Sequence, residues 1–229
     1  DADLRAAIPG LARLRFARQL VYEIRGNWKA AVDNVLECYH CPVAHPAFCE
    51  LVDMPRYEVR LHERWSRHVG PANPSLSATP YDTVADRSLA TDGISYRDDY
   101  LAWFVWPNAM LNRFPGRDNL EVIHVVPTGP DSVRQVHDFY FVDGTASAAE
   151  DEAIRYIDTV LQPEDNALVE SVQSGYRSGG YDTGWYVLHP ERQDLTEKAL
   201  RHFHSLVVEA HAALGSADPA HPVPSERAR

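Results

Sequence analysis

Cysteine and methionine are scarce in this chain: three and two among 229 residues. Cys38, Cys41 and Cys49 form an odd, clustered set. They argue against a disulfide framework and for reduced thiols in a cytoplasmic protein. Positive charge is also short. Against 33 acidic residues stand 22 lysines and arginines, a net charge of −11. A surface that neutralises nucleic-acid phosphates needs the opposite balance, so no nucleic-acid partner is expected. No apolar run approaches the ~20 residues of a membrane span, so no membrane partner is expected either. The first ten residues, DADLRAAIPG, lack the basic start and apolar core of a secretion signal, which again points to the cytoplasm. There is no internal repeat. With 45% hydrophobic residues, the chain can bury a core of one domain.

Chemistry-bearing residues concentrate in Asn27 to Pro46, NWKAAVDNVLECYHCPVAHP. Trp28 to about Tyr39 suits a helix, which Pro42 should end because its ring lacks an N–H and clashes with the preceding turn. At about 100° per residue, Asp33, Glu37 and His40 share a face roughly 60° wide. His45 lies past the break, and Pro46 biases it to an extended backbone. Two imidazoles then converge from different directions, as neighbouring positions of an octahedral metal require. A further anionic ligand would complete a two-His-one-carboxylate set with positions open for O2. The H-E-x-x-H of zinc proteases is absent, since these histidines are five apart. A structural or solvated role for each histidine is the plain alternative. A zinc knuckle of Cys38, His40, Cys41 and His45 is another, although the helix would have to unwind.

The same run resembles the catalytic-domain signature of Rieske non-heme iron oxygenase alpha subunits, the aromatic-ring-hydroxylating superfamily. The resemblance extends from about Arg15 to Ala210. It implies that His40, His45 and Asp165 bind a mononuclear Fe(II), with Asp165, Asn166 and Glu170 matching the downstream motif in PEDNALVES. It implies that Glu37 carries electrons from a [2Fe–2S] Rieske cluster in a neighbouring subunit of a homotrimer. Glu37 departs from the Asp usual in ring-hydroxylating dioxygenases. NAD(P)H, acting through a reductase partner, and O2 are the co-substrates implied. The cysteines do not supply the two separated Cys–His pairs of a Rieske centre, so the domain that gives the family its name is missing. Asn34 is expected near an open metal position, and Asp33 is expected to orient a neighbouring histidine.

Taken in order, residues 1–18 read as a linker from that missing domain, 19–215 as the mononuclear iron domain, and 216–229 as a disordered tail. Gln19–Gly26 and Arg56–Arg64 alternate as strands. Gly70–Ser95 has no period and is read as a lid. Leu101–Phe114, Leu120–Pro127 and Ser132–Val142 form a meander, with PGRD and TGPD as turns. Ser147 and Glu150 form a capping box that opens a helix through Leu161. Pro163 fits the first turn of the next helix, which presents Asp165 on the face of Leu168, Val169 and Val172. An acid on an apolar face needs a cation or hydrogen bonds. Gly175–Arg192 is a loop. Asp194 and Glu197 precede a last helix striped with Leu200, Phe203, Val207, Ala210 and Leu214 and closed by Gly215. His202, His204 and His211 are read as surface or packing residues.

Antiparallel strands followed by helices predict an α+β fold. The resemblance narrows this to a helix-grip fold (Bet v 1/START-like), a curved antiparallel sheet around a long C-terminal helix. The implied reaction is O2-dependent hydroxylation or oxidative demethylation of a small molecule. DNVLECYHCPVAHPAF, WFVWPNAMLNRFPG and VESVQSG are most similar to the branch acting on quaternary ammonium compounds. For such a substrate Tyr39, Trp103, Phe104, Trp106 and Trp185 are the expected aromatic cage. Aromatic-ring hydroxylation, a non-catalytic ligand-binding domain and a zinc hydrolase are the alternatives.

Overall fold

The computed structural model describes residues 2–73, 96–97 and 99–217. Most of the Gly70–Ser95 segment and of the 216–229 tail therefore lies outside the described residues. A short helix α1 (Ala2–Ala7) and strand β1 (Leu14–Ile24) lead into helix α2 (Trp28–Val35), then α3 (Cys41–Ala44) and α4 (Pro46–Leu51). Strands β2 (Glu58–Leu61), β3 (Trp65–Gly70), β4 (Tyr96–Arg97), β5 (Tyr100–Val105), β6 (Ala109–Arg113), β7 (Gly116–Arg117), β8 (Asn119–Gly129) and β9 (Ser132–Val142) follow. Helices α5 (Ala148–Tyr156), α6 (Gln162–Arg177) and α7 (Lys198–Ala217) complete the chain. Seven strands form one antiparallel sheet in the order β1-β9-β8-β6-β5-β3-β2, and β4 pairs with β7 apart from it. The fold is the expected α+β type with a long last helix.

Alternation sorts each strand between two faces of the sheet. Phe104, Met110, Ile123, Val125 and Val133 point inward to a core shared with Ala30, Ala31 and Val32 of α2 and Phe203 of α7. Leu14, Leu120 and Val142 point the other way and pack with Ile8. Of the stretch read as a linker, residues 2–13 fold onto this outer face and Leu14 onward belongs to β1. Ile8 is 0% exposed, and β1 begins at Leu14 rather than Gln19.

Four local expectations change. Leu101–Phe114 is two strands, because Trp106 and Pro107 turn the chain between β5 and β6. α2 stops at Val35, and Pro42 opens α3 instead of ending α2, in the first turn, where the missing N–H costs nothing. Helices α5 and α6 are continuous through a π-helical turn at Ile157–Leu161, which accommodates Pro163 without a break. Finally, α7 runs through Gly215 to Ala217.

Packing of α6 against the start of α2 sets up the site. Gly26 allows the approach: a Cβ there would lie 2.6 Å from Val169 Cγ1. The Asn27 amide donates to Gln173 Oε1 (2.8 Å), and the Arg25 guanidinium pairs with Glu170 (2.7 Å).

Candidate metal centre

Because α2 ends early, Leu36 to His40 leave the helix and His40 caps the short α3. Glu37 organises this turn. It accepts the backbone N–H groups of Tyr39 and His40, and its Oε1 lies 2.5 Å from His40 Nδ1. His45 caps α4 and is buried, with Nδ1 2.8 Å from Glu164 Oε2. Each imidazole is thus anchored through Nδ1 by a carboxylate. The two Nε2 atoms face one carboxylate oxygen, Asp165 Oδ1, at 2.8 Å from His45 and 3.7 Å from His40. Asn34 Nδ2 donates to the same oxygen at 2.6 Å.

One ligand atom from each of His40, His45 and Asp165 lies within 4.8 Å of the others. Neighbouring ligands ~2.1 Å from an octahedral metal would be about 3 Å apart, so small movements would seat an ion. The donor set of two neutral nitrogens and one oxygen fits Fe(II), and the carboxylates behind the nitrogens fit the usual support of metal-bound imidazoles. Burial lowers the affinity of His45 for a proton, but the Asp165 and Glu164 carboxylates outweigh it and hold its pKa above the ordinary value. A cation is therefore favoured at this point.

Other expectations change. Asp33 does not reach His40 or His45. It bonds His204 of α7, with Oδ1 2.8 Å from Nε2, within the packing role read for His204. Burial pushes the Asp33 carboxyl up, while Asp33 itself holds His204 above its ordinary value. Cys38 and Cys41 form a disulfide, their Cα atoms 4.9 Å apart, where reduced thiols were expected. The turn after α2 brings them together, and it removes both from any zinc knuckle. Cys49 is free.

The expected aromatic cage does not assemble as a unit, although Trp185 lines a cavity with His40. Trp103 points to the outer face, where its indole N–H donates to Asp3 at 2.6 Å and Arg67 lies over its ring. Trp106 and Phe104 pack on Phe203. Tyr39 is 51% and Trp185 91% exposed. Two cavities border the candidate ligands: one beside Asp165, lined by Phe48, Tyr100 and Phe114 with Asn34 and Glu121, and one beside His40, lined by Trp185, Tyr176, Tyr181 and Tyr186 with Asn34 and Glu37. Glu164 and Glu121 are the residues that sequence reasoning missed. Glu164 directly precedes Asp165, and Glu121 sits on the apolar phase of β8 with Ile123 and Val125.

The model of the family described as ring hydroxylating alpha subunit (catalytic domain) matches residues 11–213. The chain belongs to this family. It is 32% identical over 209 residues to the carnitine monooxygenase oxygenase subunit of Acinetobacter pittii (strain PHEA-2), covering 91% of this chain and 54% of that protein. It is 34% identical over 193 residues to the chloroplastic choline monooxygenase of Arabidopsis thaliana, covering 81% of this chain and 40% of that protein. A crystal structure of the quaternary ammonium Rieske monooxygenase CntA with a bound inhibitor aligns with a TM-score of 0.79 at 30% identity, over 92% of this chain and 54% of the other. The chain thus spans about half the length of the relatives it matches.

Proposed function

We propose that this chain is the iron-binding catalytic portion of a Rieske-type monooxygenase that hydroxylates or oxidatively demethylates a quaternary ammonium compound. The observation that carries the reading is the convergence of His40, His45 and Asp165 within 4.8 Å, in a chain of the ring-hydroxylating family. The names of the relatives support the substrate class. When bound, Fe(II) in such a set supplies the O2 chemistry, with coordination positions left open.

The chain's own residues prepare that chemistry. Glu37 and Glu164 fix both imidazoles so that each Nε2 faces the site. Asn34 holds Asp165 Oδ1 in place, leaving the carboxylate one orientation. The sheet and α6 form the cavity wall from which the substrate is presented. Glu37 is also the route by which electrons arrive from a [2Fe–2S] cluster, held by a neighbouring subunit of a homotrimer and refilled from NAD(P)H by a reductase. Its place on Nδ1 of His40, in a side chain 12% exposed, suits that role.

The test is metal analysis after anaerobic Fe(II) loading and desalting. The wild type should retain about one iron per chain, and His40→Ala and Asp165→Ala should retain almost none. Iron retention in both variants would overturn the site. Supplying a polypeptide with the Rieske domain, reductase, NADH and choline or carnitine should then give a hydroxylated or demethylated product.

A further inference from the structure

The cavity beside Asp165 carries a feature that neither the family signature nor the metal set requires. Its wall crosses the inner face of the sheet as a polar stripe. The Tyr100 hydroxyl donates to Asn112 Oδ1 at 3.1 Å, and Asn112 Nδ2 donates to Glu121 Oε2 at 2.7 Å. Glu121 Oε1 lies 2.8 Å from His137 Nδ1. Gln135 then links His137 (3.3 Å) to Gln162 (2.8 Å), whose amide also donates to Asn166 (2.7 Å) on α6. The stripe runs through four adjacent strands, β5, β6, β8 and β9, with Asn112 directly opposite Glu121.

A run of this kind on the inner face of a sheet is costly unless it is satisfied or used. Glu121 is 2% exposed, and no lysine or arginine stands among the described residues of the cavity. Its hydrogen-bond partners are the Asn112 amide and the His137 imidazole, which forms an ion pair with it only when the ring is protonated, so no permanently charged side chain balances it. Three aromatic rings border the same space. Phe48 and Tyr100 stand edge to face at 5.7 Å, and Tyr100 and Phe114 lie 5.9 Å apart. A buried carboxylate beside contiguous aromatic rings is the complement of a cation too poorly hydrated to prefer water.

We propose that Glu121, with Tyr100, Phe48 and Phe114, forms the recognition site for the cationic head of the substrate. The inference rests on the quaternary ammonium reading above and assigns it to residues. Glu121 supplies the negative charge, His137 and Asn112 hold its two oxygens in place, and the rings enclose the alkyl groups. Among the described residues of the cavity no fixed positive charge would hold a substrate carboxylate.

The experiment is calorimetric binding to the full 229-residue chain, with Fe(II) added under nitrogen. Choline is compared with 3,3-dimethylbutan-1-ol, its uncharged isostere. Wild type should bind choline at least ~10-fold more tightly than the alcohol, because a charge in a low-dielectric site outweighs shape. Glu121→Gln should reduce that ratio to about 2-fold or less while leaving the alcohol's affinity unchanged. Should that variant not fold, Glu121→Asp keeps the charge but withdraws it, and it should weaken choline alone. Choline preference that survives unchanged in a folded Glu121 variant overturns this assignment and leaves the ammonium reading standing. Equal binding of choline and the alcohol by wild type, or no binding of either choline or carnitine, overturns both.

Discussion

Glu164 offers the sharpest test of how the proposed metal ligands are held. Its Oε2 lies 2.8 Å from Nδ1 of His45, on the ring nitrogen that faces away from Asp165. A carboxylate in that place fixes the tautomer, aims Nε2 and makes it a better donor. Loss of such a partner costs ~10–100-fold in metal affinity, or about 1.4–2.7 kcal/mol. Glu164→Gln keeps a carbonyl that accepts the N–H but loses the charge, so it belongs at the lower end of that range. Glu164→Ala removes both and belongs at the upper end. The Glu164 side chain is 35% exposed, so water can fill the vacated place and the fold should survive. The assay is titration with Co(II), an air-stable stand-in for Fe(II), against a competing chelator, with thermal melts as the folding control. An Ala variant with an unchanged melt and unchanged affinity would refute the anchoring argument.

Three further outcomes are expected. Glu37→Gln, which can still accept from the His40 ring, should bind iron about 10-fold more weakly, fill at saturating iron, and slow single-turnover electron delivery from an added Rieske domain; unchanged delivery would remove Glu37 from the path. His68 is buried against the Tyr57 hydroxyl (3.1 Å), and burial lowers its pKa from 6.5 to about 4. The unfolded chain then binds the proton that the folded one refuses, so stability falls as pH drops through this window, by roughly 3 kcal/mol in all. Denaturant curves at pH 7 and 4.5 should show a smaller loss for His68→Gln than for wild type. Phe203→Ala should cost about 3–5 kcal/mol, since the ring is 0% exposed and meets Phe104, Trp28 and Trp106 at 5.5–5.9 Å. A loss under about 1 kcal/mol by chemical denaturation would mean that α7 does not anchor the core.

The sequence shows the three candidate donors because they fall in two contiguous stretches, NWKAAVDNVLECYHCPVAHP and PEDNALVES, whose residue types are hard to explain otherwise. The strands are legible for a similar reason: alternation in RYEVRLHER, LEVIHVV and SVRQVHDFYFV has period two. Alternation does not say which face is covered by what. Trp103 falls on the outer phase of β5, and only the packing of residues 2–13 on that face explains why a tryptophan is buried there. Glu121 was readable as an acid on the apolar phase of β8, but its partners Asn112 and His137 come from other strands. Pro42 illustrates a different limit. Proline is equally at home just after one helix or in the first turn of the next, and only the early end of α2 decides between them.

That early end has a consequence for the chemistry. Were α2 to continue to Tyr39, His40 would sit on a helix face, one turn from Glu37, and both side chains would point along that face. Instead the chain leaves the helix at Leu36, and Glu37 turns back to bind the amides of Tyr39 and His40 as well as the His40 ring. One carboxylate therefore sets both the backbone turn and the imidazole. On the other side, Glu164 and Asp165 lie at the start of α6, just after the π-helical turn, and they grip the two nitrogens of His45. The two halves meet because Gly26 lets Val169 approach, and Asn34 of α2 completes the contact on Asp165 itself. The positions of the candidate donors are thus set by helix packing in the core, which is what the proposed metal site would need to hold its geometry.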